Sequence, residues 1–266
     1  MKARAQWAAS GWLLLGSPLV LLIGLAIFAL FASTPLSVLT KQLESDGTRS
    51  AIGISLRTTA VSTLLVAVFG SFLALAVHKV KPLLASGLEM LVTVPAIMPP
   101  SVAGISLLLA FGRQGLIGPW LESIGISVAF TPVAVVMAQV FVSTPFFVRE
   151  ATVALRSLDP SLLEAARLDG ASPARLAWSV SLPLAFPFLM TGLVLAWTRA
   201  LGEFGATILF AGNLKGVTQT MPLAIYLGFE SDLDEAKALA VVLLVSAVAV
   251  LAIVRLVFGR RMAFAH

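Results

Sequence analysis

Two short polar stretches, residues 199–207 and 149–175, adjoin long apolar runs and offer candidate chemistry. In the segment Arg199-Ala200-Leu201-Gly202-Glu203-Phe204-Gly205-Ala206-Thr207, Arg199 and Glu203 lie four residues apart. That spacing sets a cation and a carboxylate on one helical face. Such a pair works either as a structural clamp or as an external gate, in which the arginine offers a transient partner to an anion. The flanking Gly202 and Gly205 predict close helix contact, and Thr207 completes this candidate set. The second stretch covers residues 149–175, and its punctuation predicts two short helices joined by a tight turn. Asp159 caps the first, with Pro160 at its first position. Gly170 takes the left-handed conformation that closes it, and Ser172 and Pro173 repeat the start for the next. The first helix is roughly 10 residues long, or about 15 Å. Leu162, Leu163 and Ala166 give it an apolar patch, flanked by Glu164, Arg167 and Asp169. Periodicity alone fits an amphipathic hairpin resting on a membrane surface as well as it fits a docking surface for another subunit.

A third feature is Val94-Pro95-Ala96-Ile97-Met98-Pro99-Pro100-Ser101, which places three prolines inside an apolar run. Prolines free backbone carbonyls that lipid cannot satisfy. Broken backbone at membrane depth lines a cavity or packs inside protein. Pro99, Pro100 and Ser101 are therefore candidates to line a pathway, the alternative being a kinked packing helix. No catalytic constellation accompanies these features, because the sequence holds no G-x4-GK-[ST] phosphate loop, no HExxH pair and no GxSxG elbow. Cysteine is absent and there are two histidines, so no zinc or haem site is expected. His78 reads as an interfacial residue beside Lys79 and Lys81, and His266 ends the chain.

The elements that position these residues are membrane spans. With 59% of 266 residues hydrophobic, 12% charged and a mean hydropathy of +1.00, the chain carries more apolar surface than a soluble domain can hide. Uncharged windows run over 5–40, 58–77, 90–112, 123–148, 176–198 and 238–254. A span needs roughly 20 apolar residues, so these predict an all-α integral membrane protein with six transmembrane helices. The last window is short, and Lys237 and Arg255 extend it by snorkelling. The first is too long and too apolar for a cleaved signal peptide. The run from Leu182 reaches Arg199 after about 26 Å of helix, near the outer interface.

Charge gives the orientation. With both termini and the loops after spans two and four on one side, that side collects eleven of the 18 basic residues, and the other collects eight of the 13 acids. The positive-inside rule then puts both termini in the cytoplasm. The same distribution explains a pI near 10.1 without nucleic acid, since the positive charge marks the ends of apolar segments and forms no basic face. Two other function classes find little support. A gradient-driven carrier places ionisable groups near mid-span, and all six windows lack them. An intramembrane protease needs a catalytic pair at depth, which is equally missing.

Glu164-Ala165-Ala166-Arg167-Leu168-Asp169-Gly170, with Val180, Leu182 and Pro183 beyond it, resembles the EAA signature of ABC-importer permeases, EAA-x3-G-x9-I-x-LP. Every position matches except the isoleucine, where Val180 keeps a β-branched apolar side chain. The resemblance implies a coupling helix at about 160–170 that seats in a groove of an ATPase, with Glu164, Ala165, Ala166, Gly170 and Pro183 as ATPase-coupling residues. It also implies a type-1 ABC transmembrane domain over 50–258. Residues 1–49 then form an N-terminal cytoplasmic end, a first transmembrane helix and an external loop, and 259–266 a cytoplasmic C-terminal tail.

The RALGEFGA run with its downstream Gly212-Asn213 is similar to the molybdate and sulfate branch of that family. TQTMPLAIY at 218–226 and LLLAFGRQGLIG at 107–118 look more like molybdate or tungstate permeases than sulfate ones. The resemblance implies a homodimer in the inner (plasma) membrane with the pathway at the subunit interface. Its translocation or gate residues would be Pro99, Pro100, Ser101, Arg199, Gly202, Glu203, Gly205 and Thr207. Two ATP-binding cassette subunits, an extracytoplasmic oxyanion-binding protein and the lipid bilayer are the implied partners. No cofactor is expected in this chain, since ATP and Mg would be bound by the ATPase.

Overall fold

The structure is a computed structural model that describes residues 2–262 apart from 160, 162, 163, 165 and 167. Its described elements are helices, beginning with α1 (Lys2–Ala32), α2 (Leu36–Glu44) and α3 (Asp46–Lys79). The broken pair α4 (Pro82–Ile97) and α5 (Pro100–Phe111) comes next, then the short α6 (Gly118–Ser123) and α7 (Pro132–Arg156). Beyond the polar segment come α8 (Pro173–Leu176), a π-helical turn at Ala177–Ser181 and α9 (Leu182–Leu201). The chain closes with α10 (Gly205–Phe210), α11 (Met221–Ser231) and α12 (Leu233–Met262). Five helices are long and apolar enough to cross a bilayer, and the pair α4/α5, bent by 115°, makes a sixth crossing if counted as one span.

Helix α7 is the centre, packed against both α3 and α9. The inward face of α3 runs Thr48, Ala51, Ser55, Thr59, Ser62, Val66, Gly70, Ala74 and Val77, each buried. Steps of three or four residues keep one stripe facing a neighbour along the whole helix. The first half of the stripe is polar and the second half is small or apolar. Polar groups of α3 and α7 meet at Thr59, whose hydroxyl accepts from Gln139 Nε2 at 3.3 Å. Lower down, the ring of Phe147 is held between two glycines. A Cβ on Gly70 of α3 would lie 2.8 Å from Phe147 Cδ1, and one on Gly192 of α9 would lie 3.3 Å from Phe147 Cδ2. Between helices in lipid the hydrophobic effect is lost as a driving force, so close packing on small residues is what holds them together. Val66, Ala74, Val148, Ala151 and Ala196 complete this cluster.

A second cluster joins α5, α7 and α10 through Ala103, Leu107, Ala138, Val142, Ala206 and Phe210. The backbone N–H of Phe130 (φ 61) donates to Phe210 O at 3.2 Å, so the entry to α7 is tied to the end of α10. A third gathers Ala51, Leu201, Met221, Ala224 and Leu239, where α3, α9, α11 and α12 converge. Met221 N, at the start of α11, donates to Ser55 Oγ at 2.6 Å, so a first-turn donor with no partner in its own helix is satisfied by the polar stripe of α3. Asp232 caps α12 by accepting from Asp234 N and Glu235 N, and it also accepts from Gln42 Nε2 of α2 at 3.3 Å.

Several expected boundaries change. The span expected over 58–77 is part of a helix running from Asp46 to Lys79, about 51 Å by helical rise. It passes Arg49 and Arg57, because a helix continues into the interface where uncharged lipid-facing windows stop. The external loop expected within 1–49 is instead helical, as α2 and the start of α3. The window 123–148 does not begin a helix at its edge. Residues 124–131 are non-helical, and α7 starts at Pro132 behind its Thr131 cap and runs on past Arg149 to Arg156. The single third span is two helices.

The Phe147 wedge yields a first test. Gly70→Val forces a methyl-bearing carbon onto the Phe147 ring, an overpacking that costs about 1–3 kcal/mol. A lowered Tm of the purified protein is expected. Gly87→Val, at a glycine with no atom within 4 Å of an added Cβ, should leave Tm unchanged.

Candidate translocation site and coupling segment

The last turn of α9 carries Arg199, and the linker to α10 carries Glu203. Arg199 Nη1 stands 2.6 Å from Glu203 Oε2, so the pair expected from the spacing is formed. Glu203 is 1% exposed while the Arg199 side chain is 30% exposed. The other carboxylate oxygen, Oε1, accepts from Ala206 N at 2.7 Å. Glu203 therefore uses one oxygen to bind the arginine and the other to cap α10. A carboxylate so buried is tolerable only because both oxygens are satisfied.

The two expected glycine contacts separate. Gly202 is exposed, and an added Cβ would meet only Thr198 O of its own turn at 3.5 Å. Gly205 bears the whole close approach, since a Cβ there would overlap the ring of Pro100. A matching glycine that sequence reasoning missed, Gly104, lies further along α5; its Cβ would be 2.9 Å from Ala206 O. Helices α5 and α10 thus cross at two glycines, and this brings the break in the third span against the Arg199–Glu203 linker. Pro99, Pro100 and Ser101 are all exposed. The break leaves Met98 bonded back to Val94 O and α5 starting afresh with Ala103 N on Pro99 O. Thr207 is buried like Glu203, but its hydroxyl has no partner among the described residues. Its place is in the packing within this chain, because α10 is wedged against α5 and α7.

Sequence reasoning also missed the polar seam of Ser55, Thr59, Ser62, Gln139, Ser143 and Thr220, buried where α3, α7 and the start of α11 meet. The signal was available as hydroxyls and one amide at helical spacing inside otherwise apolar windows. Gln139 Oε1 and Thr220 Oγ1 are buried without a partner among the described residues. His78 lines a surface cavity with Glu89 and Arg156, which form an ion pair joining α4 to the end of α7.

In the polar segment, Ser161, Glu164, Ala166 and Leu168 are helical. The candidates Ala165, Pro160, Leu162, Leu163 and Arg167 lie outside the described residues, as do residues 263–266 of the tail. Ser161 N donates to Asp159 Oδ1 at 2.9 Å, the expected cap. That backbone hydrogen bond, helped by the Ser161 hydroxyl, holds the Asp159 carboxyl below its ordinary range. Gly170 has φ +81, and Ala171 N donates to Ala166 O at 3.0 Å, which is the six-to-one bond of a Schellman closure. Arg175 N donates to Ser172 Oγ at 3.3 Å at the next start. Both predicted caps and the glycine turn are therefore present. Glu164, Leu168 and Gly170 are exposed.

Helices of spanning length, a break between two apolar helices beside a buried ion pair, and a polar helical turn outside the spans define a polytopic α-helical membrane protein. The fold agrees with solved ABC transporters. The chain superposes on one from a bacterial alginate ABC transporter complexed with its alginate-bound periplasmic protein, with TM-score 0.76 at 18% identity, covering 98% of this chain and 97% of that one. The methionine ABC transporter MetNI gives 0.60 at 17% identity, covering 81% and 94%. The chain belongs to the family described as binding-protein-dependent transport system inner membrane component, whose family model matches residues 66–264. The molybdenum transport system permease protein ModB of Mycobacterium bovis is 44% identical over 205 residues, 77% of this chain and 78% of that protein. ModB of Escherichia coli K12 is 38% identical over 68% of this chain and 80% of its own. A probable sulfate transport system permease protein, cysT of Nephroselmis olivacea, is 37% identical over 77% and 72%.

Arg199→Met strands the Glu203 charge in a buried site and should lower stability by about 3 kcal/mol. The double variant Arg199→Met/Glu203→Gln, which keeps an acceptor for Ala206 N, should recover more than half of that loss in Tm. At the coupling segment the sign of the pH effect follows from a depressed carboxylate. The Asp159 cap is fully present above the ordinary carboxylate range and is lost as pH falls through its lowered value. Protection of the Ser161 amide, its exchange rate relative to the intrinsic rate at each pH, should therefore hold from neutral pH down to the ordinary carboxylate range and fall below it. In Asp159→Ala that protection should be lost at every pH.

Proposed function

We propose that this chain is the membrane-spanning permease of an ATP-driven importer for molybdate or tungstate, with both termini in the cytoplasm. The observation that carries the substrate is the 44% identity to a molybdenum permease over 77% of the chain. The runner-up is sulfate, supported by the 37% identity to the sulfate permease relative. Two copies would form the pathway at their interface, and an extracytoplasmic binding protein would deliver the oxyanion. Two ATPase chains would dock at the turn built by Glu164, Ala165, Ala166 and Gly170, and would hold the ATP and Mg. ATP binding would open the permease outwards, and hydrolysis would reset it.

A dianion in transit needs hydroxyls, amides and helix N-termini more than fixed arginines, which would hold it too long. The exposed break supplies these at Ser101 and the first turn of α5, with Pro99 and Pro100 shaping it. Arg199 is occupied by Glu203, so it offers an anion only a shared charge. This supports a gate that releases readily. Gly205 and Pro100 keep that gate closely packed, and the exposed Gly202 leaves its turn unobstructed.

Deleting the gene and measuring molybdenum and tungsten uptake from trace medium tests the substrate. Uptake lost on deletion and indifferent to excess sulfate in the parent is the expected result. Uptake abolished by sulfate would move the assignment to sulfate, and unchanged uptake would refute it. Gly170→Pro cannot adopt φ +81. It should insert normally yet abolish uptake, and normal uptake by this variant would sink the coupling role of the turn.

A further inference from the structure

Between the coupling segment and α9 lies a piece of backbone that neither the ion pair nor the break uses. Residues Ala177–Ser181 form a π-helical turn directly before Leu182 and Pro183. In a continuous α-helix the nitrogen at 183 would donate to Ser179 O. Proline has no N–H, and its ring pushes against that carbonyl. Widening to a π turn relieves the clash and leaves the helix weakly bonded at that level. Pro187 inside α9 denies a partner to Pro183 O in the same way. Two successive turns at the inner end of α9 are thus short of a hydrogen bond.

The packing around this end is uneven. Further along, α9 is fixed, because Gly192 lies against Phe147 and an added Cβ would be 3.0 Å from Glu150 Cβ. At the π turn an apolar cavity of about 290 Å³ opens between α3, α7 and α9, lined among others by Ala74, Leu75, Leu155, Ser181, Leu182 and Leu189. The cavity is open on one side, with Leu75 and Leu182 both exposed, so no packed side chain blocks α9 there. On the other side the link is stiff. Helix α8 is capped by Ser172, and Leu176 is buried.

We propose that the π turn Ala177–Ser181, opened by Pro183, is the hinge that converts displacement of the coupling segment into a tilt of α9. The tilt pivots on Gly192 and Phe147 and is accommodated by the cavity beside Leu75 and Leu182. A tilt about that pivot moves the far end of α9, where Arg199 holds Glu203. This rests on the coupling role proposed above and adds to it where the motion is absorbed.

The chain has no cysteine, so Leu75→Cys with Leu182→Cys introduces the only two thiols of each copy across the cavity. The double variant would be isolated from its own membranes with its ATPase, and treated with a short thiol crosslinker in the nucleotide-free and vanadate-trapped states. The crosslinking rate should differ between states by about fivefold, and adding Pro183→Ala should remove the difference and lower ions imported per ATP by about tenfold. Equal rates in a complex that copurifies with ATPase and imports overturn the hinge and leave the proposed function standing. A chain that neither copurifies with an ATPase nor imports removes the coupling role and the hinge with it. Should Pro183→Ala fail to insert, the comparison of states in the proline-containing pair decides alone.

Discussion

Phe147 between Gly70 and Gly192 is the contact on which the rest of the structure depends. In a bilayer, lipid tails are as apolar as leucine, so helices adhere by fitting closely and by sharing polar groups. A large ring set between two glycines lets α3 and α9 approach α7 together. Once that three-helix unit is fixed, the position of every other element is a consequence. The pair α4/α5 closes on α7, α10 is wedged against α5 and α7, and α11 and α12 pack on the outer halves of α3 and α9.

The same unit divides the chain into two kinds of interior. One half of the α3 stripe is hydroxylic and meets Gln139 and the start of α11, and the other half is made of small apolar residues around the wedge. Polar packing in lipid is directional, because an unmade hydrogen bond has no water to fall back on. The Thr59–Gln139 and Ser55–Met221 bonds therefore set the rotation of α3 and the depth of α11. Apolar packing is less directional, and it is in that half that the cavity beside the π turn is found.

A continuous line of chain joins the features proposed to work together. The turn closed by the exposed Gly170 leads through α8 to the π turn, then through α9 to Arg199 and Glu203. Across the Gly205–Pro100 contact it reaches the break in the third span. Each junction is backbone or a close steric contact, which transmits displacement with little slack. The weak points are where proline has removed a donor, at Pro183 and Pro187 on one helix and at Pro99 and Pro100 on the other.

The sequence by itself determined that the chain lives in a membrane, because hydropathy is a property of composition and window length. It determined the Arg199–Glu203 pair and the caps at Asp159, Gly170 and Ser172, because partners within five residues along a helix or turn are placed by local geometry alone. Tertiary structure alone decided that Gly205 meets Pro100 while Gly202 meets nothing, that Thr207 turns inward, and that Gly70 and Gly192 share one ring. It also decided the 115° bend and the extension of α3 and α7 past their charged residues. Those outcomes depend on which faces of distant helices come together. A residue type and its spacing do not encode that until α7 has chosen its neighbours.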